Sequence, residues 1–134
     1  MKIVYSNVIP FKGFAACNLF GVLFVRKRHR ELFEKYPNST RVKRYLHHEQ
    51  IHTMQMKGIL YIPFYIIYGV EWFVKIFTEI KAYRNVSFER EAYTNENKFN
   101  DLSFDSKTLV LNNSYAGKMS KYSWLKYVFF RKVN

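Results

Sequence analysis

Positions 48 to 52 of the chain read His-Glu-Gln-Ile-His. On a helix, two imidazoles four residues apart lie about 40° apart around the axis, so both can face one metal ion with Glu49 flanking it. This is zinc-hydrolase geometry, in which His48 and His52 bind the metal and Glu49 acts as general base. A catalytic zinc takes three protein ligands and keeps a fourth position for water, so another residue must complete the set. No histidine follows His52, Asp101 and Asp105 fall in a polar, irregular stretch, and Glu71 lies in the most apolar segment. Glu89 and Glu91, on the next helix, are the remaining candidates. The competing reading is an amphipathic helix with two surface histidines. His47 points about 100° away from His48, which suits the surface or a supporting position better than the metal. His29 belongs to a basic run and is a poor ligand candidate.

Phe88-Glu89-Arg90-Glu91-Ala92-Tyr93 follows the histidine pair at a distance. A His-Glu-x-x-His helix joined to a later Phe-Glu-x-x-Ala helix resembles the gluzincins, particularly the integral-membrane zinc peptidases related to those that process prenylated proteins. The resemblance implies Glu89 as the third zinc ligand and Ala92 as the small residue that lets two helices pack closely. The family has Asp where this chain has Tyr93, a departure at the group that supports a ligand histidine. Glu91 stays open as the alternative ligand. The resemblance covers residues 45 to 98. Across Ile9 to Phe14, Ile62 to Tyr65 and Ala82 to Tyr93 the chain is also similar to a group of short Bacteroidetes proteins that bring no established activity with them.

At 134 residues the chain has room for one domain, and the elements that must position the site follow in order. Residues 1–25 are β-branched and aromatic, broken by Pro10, Gly13 and Gly21, and predict a hairpin-like β segment. The run from Phe14 to Val25 is too short to span a bilayer as a helix and reads as one or two buried strands. Residues 40–98 predict the helical core of the metal site: a helix to Lys57, interrupted at Gly58, then an apolar helix over 59–77, then a helix from about Val86 to Lys98 capped by Asn85 or Ser87. The uncharged run of the apolar helix ends at Val70, which favours a buried or interfacial helix over a full crossing. Residues 100–117 read as irregular, and 121–132 as a basic amphipathic C-terminal helix. The fold class is therefore α+β and mainly helical, with the β segment packed on a minimal zincin-type core.

Lys and Arg total 22 against 10 Asp and Glu, a net charge of +12, and aromatic residues make up 19% of the chain. Charge of that size points to anionic partners, and aromatic rings with polar tips suit membrane boundaries. The single cysteine, Cys17, excludes an intramolecular disulfide and a Cys-rich zinc site, and reads as a small core residue. The N-terminus lacks a signal-peptide core, so a cytoplasmic or cytoplasm-facing location is expected. The leading expectation is a zinc-dependent peptidase acting on a peptide or protein substrate at or near an anionic membrane surface. The alternatives are a basic module binding anionic lipid or, less favoured, nucleic acid, and a zinc-binding pseudoenzyme.

Overall fold

A computed structural model describes residues 1–10, 12–99, 103–105, 108–110 and 114–119. Its architecture is α+β and mainly helical, with the sheet at the N-terminus. Strands β2 (Ala16–Leu19) and β3 (Val22–Arg26) form an antiparallel hairpin. The turn between them, Phe20-Gly21, has positive φ at both residues (51° and 80°), the twist that a two-residue hairpin turn requires. β1 (Lys2–Ser6) lies parallel to β3 on its other side, giving the order β1-β3-β2. The segment is thus more than a hairpin. A parallel neighbour needs a connection of a dozen or so residues, and the chain between β1 and β3 provides it.

Ala16, Leu23 and Val25 bury one face of this sheet against Phe33, Val42 and Leu46. Phe33 belongs to α1 (Arg30–Lys35), while Val42 and Leu46 belong to α2 (Thr40–Ile59). Ser39 starts α2, its hydroxyl accepting the Val42 N–H at 3.3 Å. Gly58 does not interrupt α2: it sits within the last turn, and the break comes at Leu60, whose φ is 76°. The sheet reaches the middle of α2 through Asn18, whose amide donates to Glu49 O (2.7 Å) and Thr53 Oγ1 (2.8 Å).

Helix α3 (Tyr61–Thr78) leaves α2 at a bend of 111°. Of the two expectations for this segment, a buried or an interfacial helix, it is not the buried one, because Phe64 is its one buried residue. No single described helix is long and apolar enough to cross a membrane. After the one-turn α4 (Ala82–Asn85), α5 (Ser87–Asn95) packs Ala92 against Ile51 of α2. The expected side-chain cap on α5 from Asn85 or Ser87 is replaced by one from another helix: Glu71 of α3 accepts the Ser87 N–H (2.8 Å) and hydroxyl (2.7 Å). The stretch expected to be irregular holds an antiparallel pair, β4 (Ser103–Asp105) with β5 (Thr108–Val110), and a short α6 (Tyr115–Met119) that buries Ala116 and Met119 against Ile51 and Ala92. The expected C-terminal helix over 121–132 lies outside the described residues.

Candidate metal centre

The middle of α2 is buried from Leu46 through Thr53, enclosed by the sheet, α5 and α6. This enclosure places His48, His52 and Glu89 of α5 together as a buried group able to hold a metal ion. His48 Nε2 and His52 Nε2 are 3.1 Å apart, and the two carboxylate oxygens of Glu89 lie 3.4 Å from the first and 3.3 Å from the second. Ligand bonds of about 2.0–2.1 Å in tetrahedral directions place donor atoms about 3.3 Å from one another. The three donors therefore have the mutual spacing of atoms around one ion.

The outer hydrogen bonds give a second, independent reason to expect a cation. His48 Nδ1 faces Glu96 Oε2 at 2.9 Å and His52 Nδ1 faces Gln55 Oε1 at 2.7 Å. Gln55 has its amide orientation set by two acceptors, Phe88 O at 3.0 Å and Glu91 Oε2 at 3.1 Å, so the atom it turns to His52 is the oxygen. Both Nδ1 atoms thus carry protons, and in the neutral rings both Nε2 atoms present lone pairs to each other. Only a proton or a cation between them relieves that contact. Glu89 Oε2 is buried with no hydrogen-bond partner, which is costly for a carboxylate unless a positive charge lies beside it.

The electrostatics agree. Burial works against a charged His48, but the neighbouring carboxylates of Glu89 and Glu96 outweigh it and raise its pKa to about 9. Burial likewise opposes ionisation of Glu89, yet His52 and His48 hold its carboxyl far below the usual range. In His52 burial is again overcome, here by Glu89, and the pKa rises. The site thus favours a positive charge in the place where a metal would supply one.

Glu49 is buried beside this group, and burial raises its pKa against the pull of His52 and His48. Its carboxyl hydrogen-bonds Tyr45 and borders a cavity of about 360 Å³, into which His52 and Glu89 also reach. The other walls are chiefly apolar, including Pro10, Phe14, Leu19, Met56 and Phe64. Tyr68 and Tyr83 stand at the same wall. The Tyr68 hydroxyl donates to Glu89 Oε1 at 2.8 Å, and Tyr83 shares hydrogen bonds with Tyr68 and Glu89. Cys17, half-buried, lines this cavity and is not a core residue.

The two candidate glutamates part company. Glu89 meets the histidines, whereas Glu91 accepts from Gln55 and from the Tyr115 hydroxyl (2.9 Å). Tyr93, the departure from the gluzincin pattern, lays its ring against His48 with centroids 4.7 Å apart and carries the Arg84 guanidinium at 4.6 Å from its centroid. The carboxylate behind His48 comes from Glu96 instead, seven positions beyond Glu89 and hence on the same helical face. His47 is fully buried, so of its two expected places it takes the supporting one, behind Glu96, and not the surface. It bonds Glu96 O at 2.8 Å and accepts the Ala116 N–H at 3.3 Å, and burial lowers its pKa. Sequence reasoning missed Glu96 and Gln55. The signals available were the seven-residue interval from Glu89 and the three-residue interval from His52, both of which keep residues on one face. In comparisons with family models, curated proteins and solved structures, nothing matches this chain.

Proposed function

We propose that the protein is a zinc-dependent peptidase of gluzincin type, with His48, His52 and Glu89 as zinc ligands and Glu49 as general base. The observation that carries this reading is the triad of buried donors at 3.1–3.4 Å with a buried glutamate beside it at the floor of a cavity. Two nitrogens and one carboxylate, all borderline or hard donors, suit zinc with an open fourth position. Zinc in this setting supplies a Lewis acid that makes water acidic near neutrality and polarises a carbonyl.

The chain's own residues supply the rest. Glu49, its pKa raised by burial, accepts the proton of the attacking water and returns it to the leaving amine. The Tyr83 hydroxyl, on the cavity wall and engaged with Tyr68 and Glu89, is the candidate donor for the oxygen on which charge develops. The apolar walls take a large apolar side chain of a peptide, and a cavity of about 360 Å³ is within the range of small-molecule and side-chain pockets.

Metal analysis of the purified protein with a peptide-cleavage assay tests the proposal. The expected result is one zinc per chain, lost in His48→Ala and in Glu89→Gln but retained in Glu49→Gln. Cleavage of peptides bearing large apolar residues should fall by about 10²- to 10⁴-fold in Glu49→Gln. A protein that takes up no zinc on reconstitution sinks the reading. Zinc uptake with no cleavage that depends on Glu49 makes the chain a zinc-binding pseudoenzyme.

A further inference from the structure

Helix α3 presents a face that the other described residues leave uncovered. Ile62, Ile66, Val70, Phe73 and Phe77 are all at least 60% exposed. At 3.6 residues per turn and 1.5 Å per residue they fall within about 80° of one another around the axis, a continuous stripe about 23 Å long. Trp72, Val74 and Ile76 flank it and are also exposed. The hairpin tip adds Phe20, 60% exposed and 5.1 Å from the Tyr65 ring.

The charges of α3 are confined to the opposite side. Glu71 and Lys75 lie on the line of Phe64 and Tyr68, where Glu71 is held by Ser87 and Lys75 by Glu79 at 3.1 Å. The outward face therefore carries no charge at all, while exposed cations stand at both ends, Lys57 before the helix and Lys81 and Arg84 after it. An uncharged apolar stripe bordered by aromatic rings and terminal cations matches the profile of a lipid interface, with hydrocarbon below and anionic headgroups at the edges. A second copy of the chain is a poorer complement, because it brings another +12 to the same contact.

We propose that α3 is an in-plane membrane anchor that docks its Ile62–Phe77 stripe into the headgroup boundary of an anionic lipid surface. Docking is independent of the metal chemistry. The helix lies along the surface and does not cross it, since its inner side is occupied by Phe64, Tyr68, Glu71 and Lys75 packed on the fold. Phe64, Tyr65 and Tyr68 of the same helix line the cavity from within, so the anchor sets the cavity beside the lipid surface.

The test is co-sedimentation of the full chain with vesicles of phosphatidylcholine alone and of phosphatidylcholine containing about one-third phosphatidylserine. Wild type should bind the anionic vesicles strongly and the neutral ones weakly. Phe73→Glu/Phe77→Glu alters only exposed side chains, so it should keep zinc content and circular dichroism while losing about tenfold or more in vesicle partitioning. The basic C-terminal residues are unchanged in that variant, which separates their contribution from that of α3. Equal binding by wild type and the double variant overturns the proposal, as does failure of wild type to bind. A wild-type dimer that the double variant converts to monomer, with no change in vesicle binding, assigns the face to a second copy instead.

Discussion

Glu96 Oε2 lies 2.9 Å from His48 Nδ1, and this one contact fixes which nitrogen of His48 faces Glu89. A carboxylate behind a histidine orients the ring and raises its basicity. Glu96 is itself held by its backbone, through His47, and stands 3.7 Å from Arg44. Glu96→Gln should therefore preserve the fold and weaken zinc binding by about 10- to 100-fold. Competition against a chromophoric chelator measures this, and unchanged affinity would show that the ring is held by packing against Tyr93 alone.

Gln55 and Glu91 support the other histidine. Glu91 is fully buried, yet its partners are Gln55 and Tyr115 and not the metal site. Glu91→Gln should leave zinc stoichiometry at wild-type level, in contrast to Glu89→Gln. Gln55→Leu removes the acceptor from His52 and one donor from Glu91, so it should cost about 1–3 kcal/mol in unfolding free energy as well as weaken zinc binding. Chemical denaturation of the metal-free protein separates the two effects.

The pentapeptide from His48 to His52 was legible because helical geometry alone puts its ends on one face. Elimination left Glu89 and Glu91, the gluzincin resemblance pointed to Glu89, and the packing of α5 on α2, with Ala92 against Ile51, brings Glu89 and not Glu91 to the histidines. What escaped the sequence depends on contacts between distant segments. The parallel placement of β1 has no local signature, since its strand pattern suits either edge of the hairpin. Gly58 reads as a helix breaker, but one glycine in a last turn costs only about 1 kcal/mol, which the packed helix absorbs. The apolar composition of α3 left burial and an interface both open, and the fold packs only its Phe64 side, with Tyr61, Tyr65 and Tyr68. Composition records how apolar a helix is and not how much of it the remaining chain can cover.

Glu71 links α3 to the metal site by capping α5 from outside. Its carboxylate takes both the N–H and the hydroxyl of Ser87, two residues before Glu89. Loss of a side-chain cap costs about 0.5–2 kcal/mol, and here the uncapped turn is the one that carries Glu89, the proposed ligand. Glu71→Ala should lower the thermal midpoint of the metal-free protein and reduce zinc affinity, and saturating zinc should recover much of the lost stability. Ser87→Ala, which keeps the backbone N–H bond, should show the smaller effect of the two. Calorimetric scans with and without zinc measure both.

Proton release on metal uptake follows from His48. In the metal-free protein its pKa is raised to about 9, because Glu89 and Glu96 outweigh the opposing effect of burial. An unfolded histidine titrates at about 6.5, so the stabilisation from charged His48 is complete below about 6.5 and is lost as pH rises through about 9. Glu89 acts in the other direction: its lowered pKa contributes stability above about 4.3 that is lost as pH falls. The pair therefore stabilises the metal-free protein most between about pH 4.3 and 6.5. Zinc requires the unprotonated Nε2 and must displace the His48 proton. Apparent zinc affinity should accordingly rise by about tenfold per pH unit from about 7 toward 9 and level off above it. Titration calorimetry in buffers of different ionisation enthalpy counts the protons, and release of about one per zinc at pH 7.5 is the expected value. No release at that pH would mean that His48 is already neutral in the metal-free protein and that Glu96 serves only to orient it.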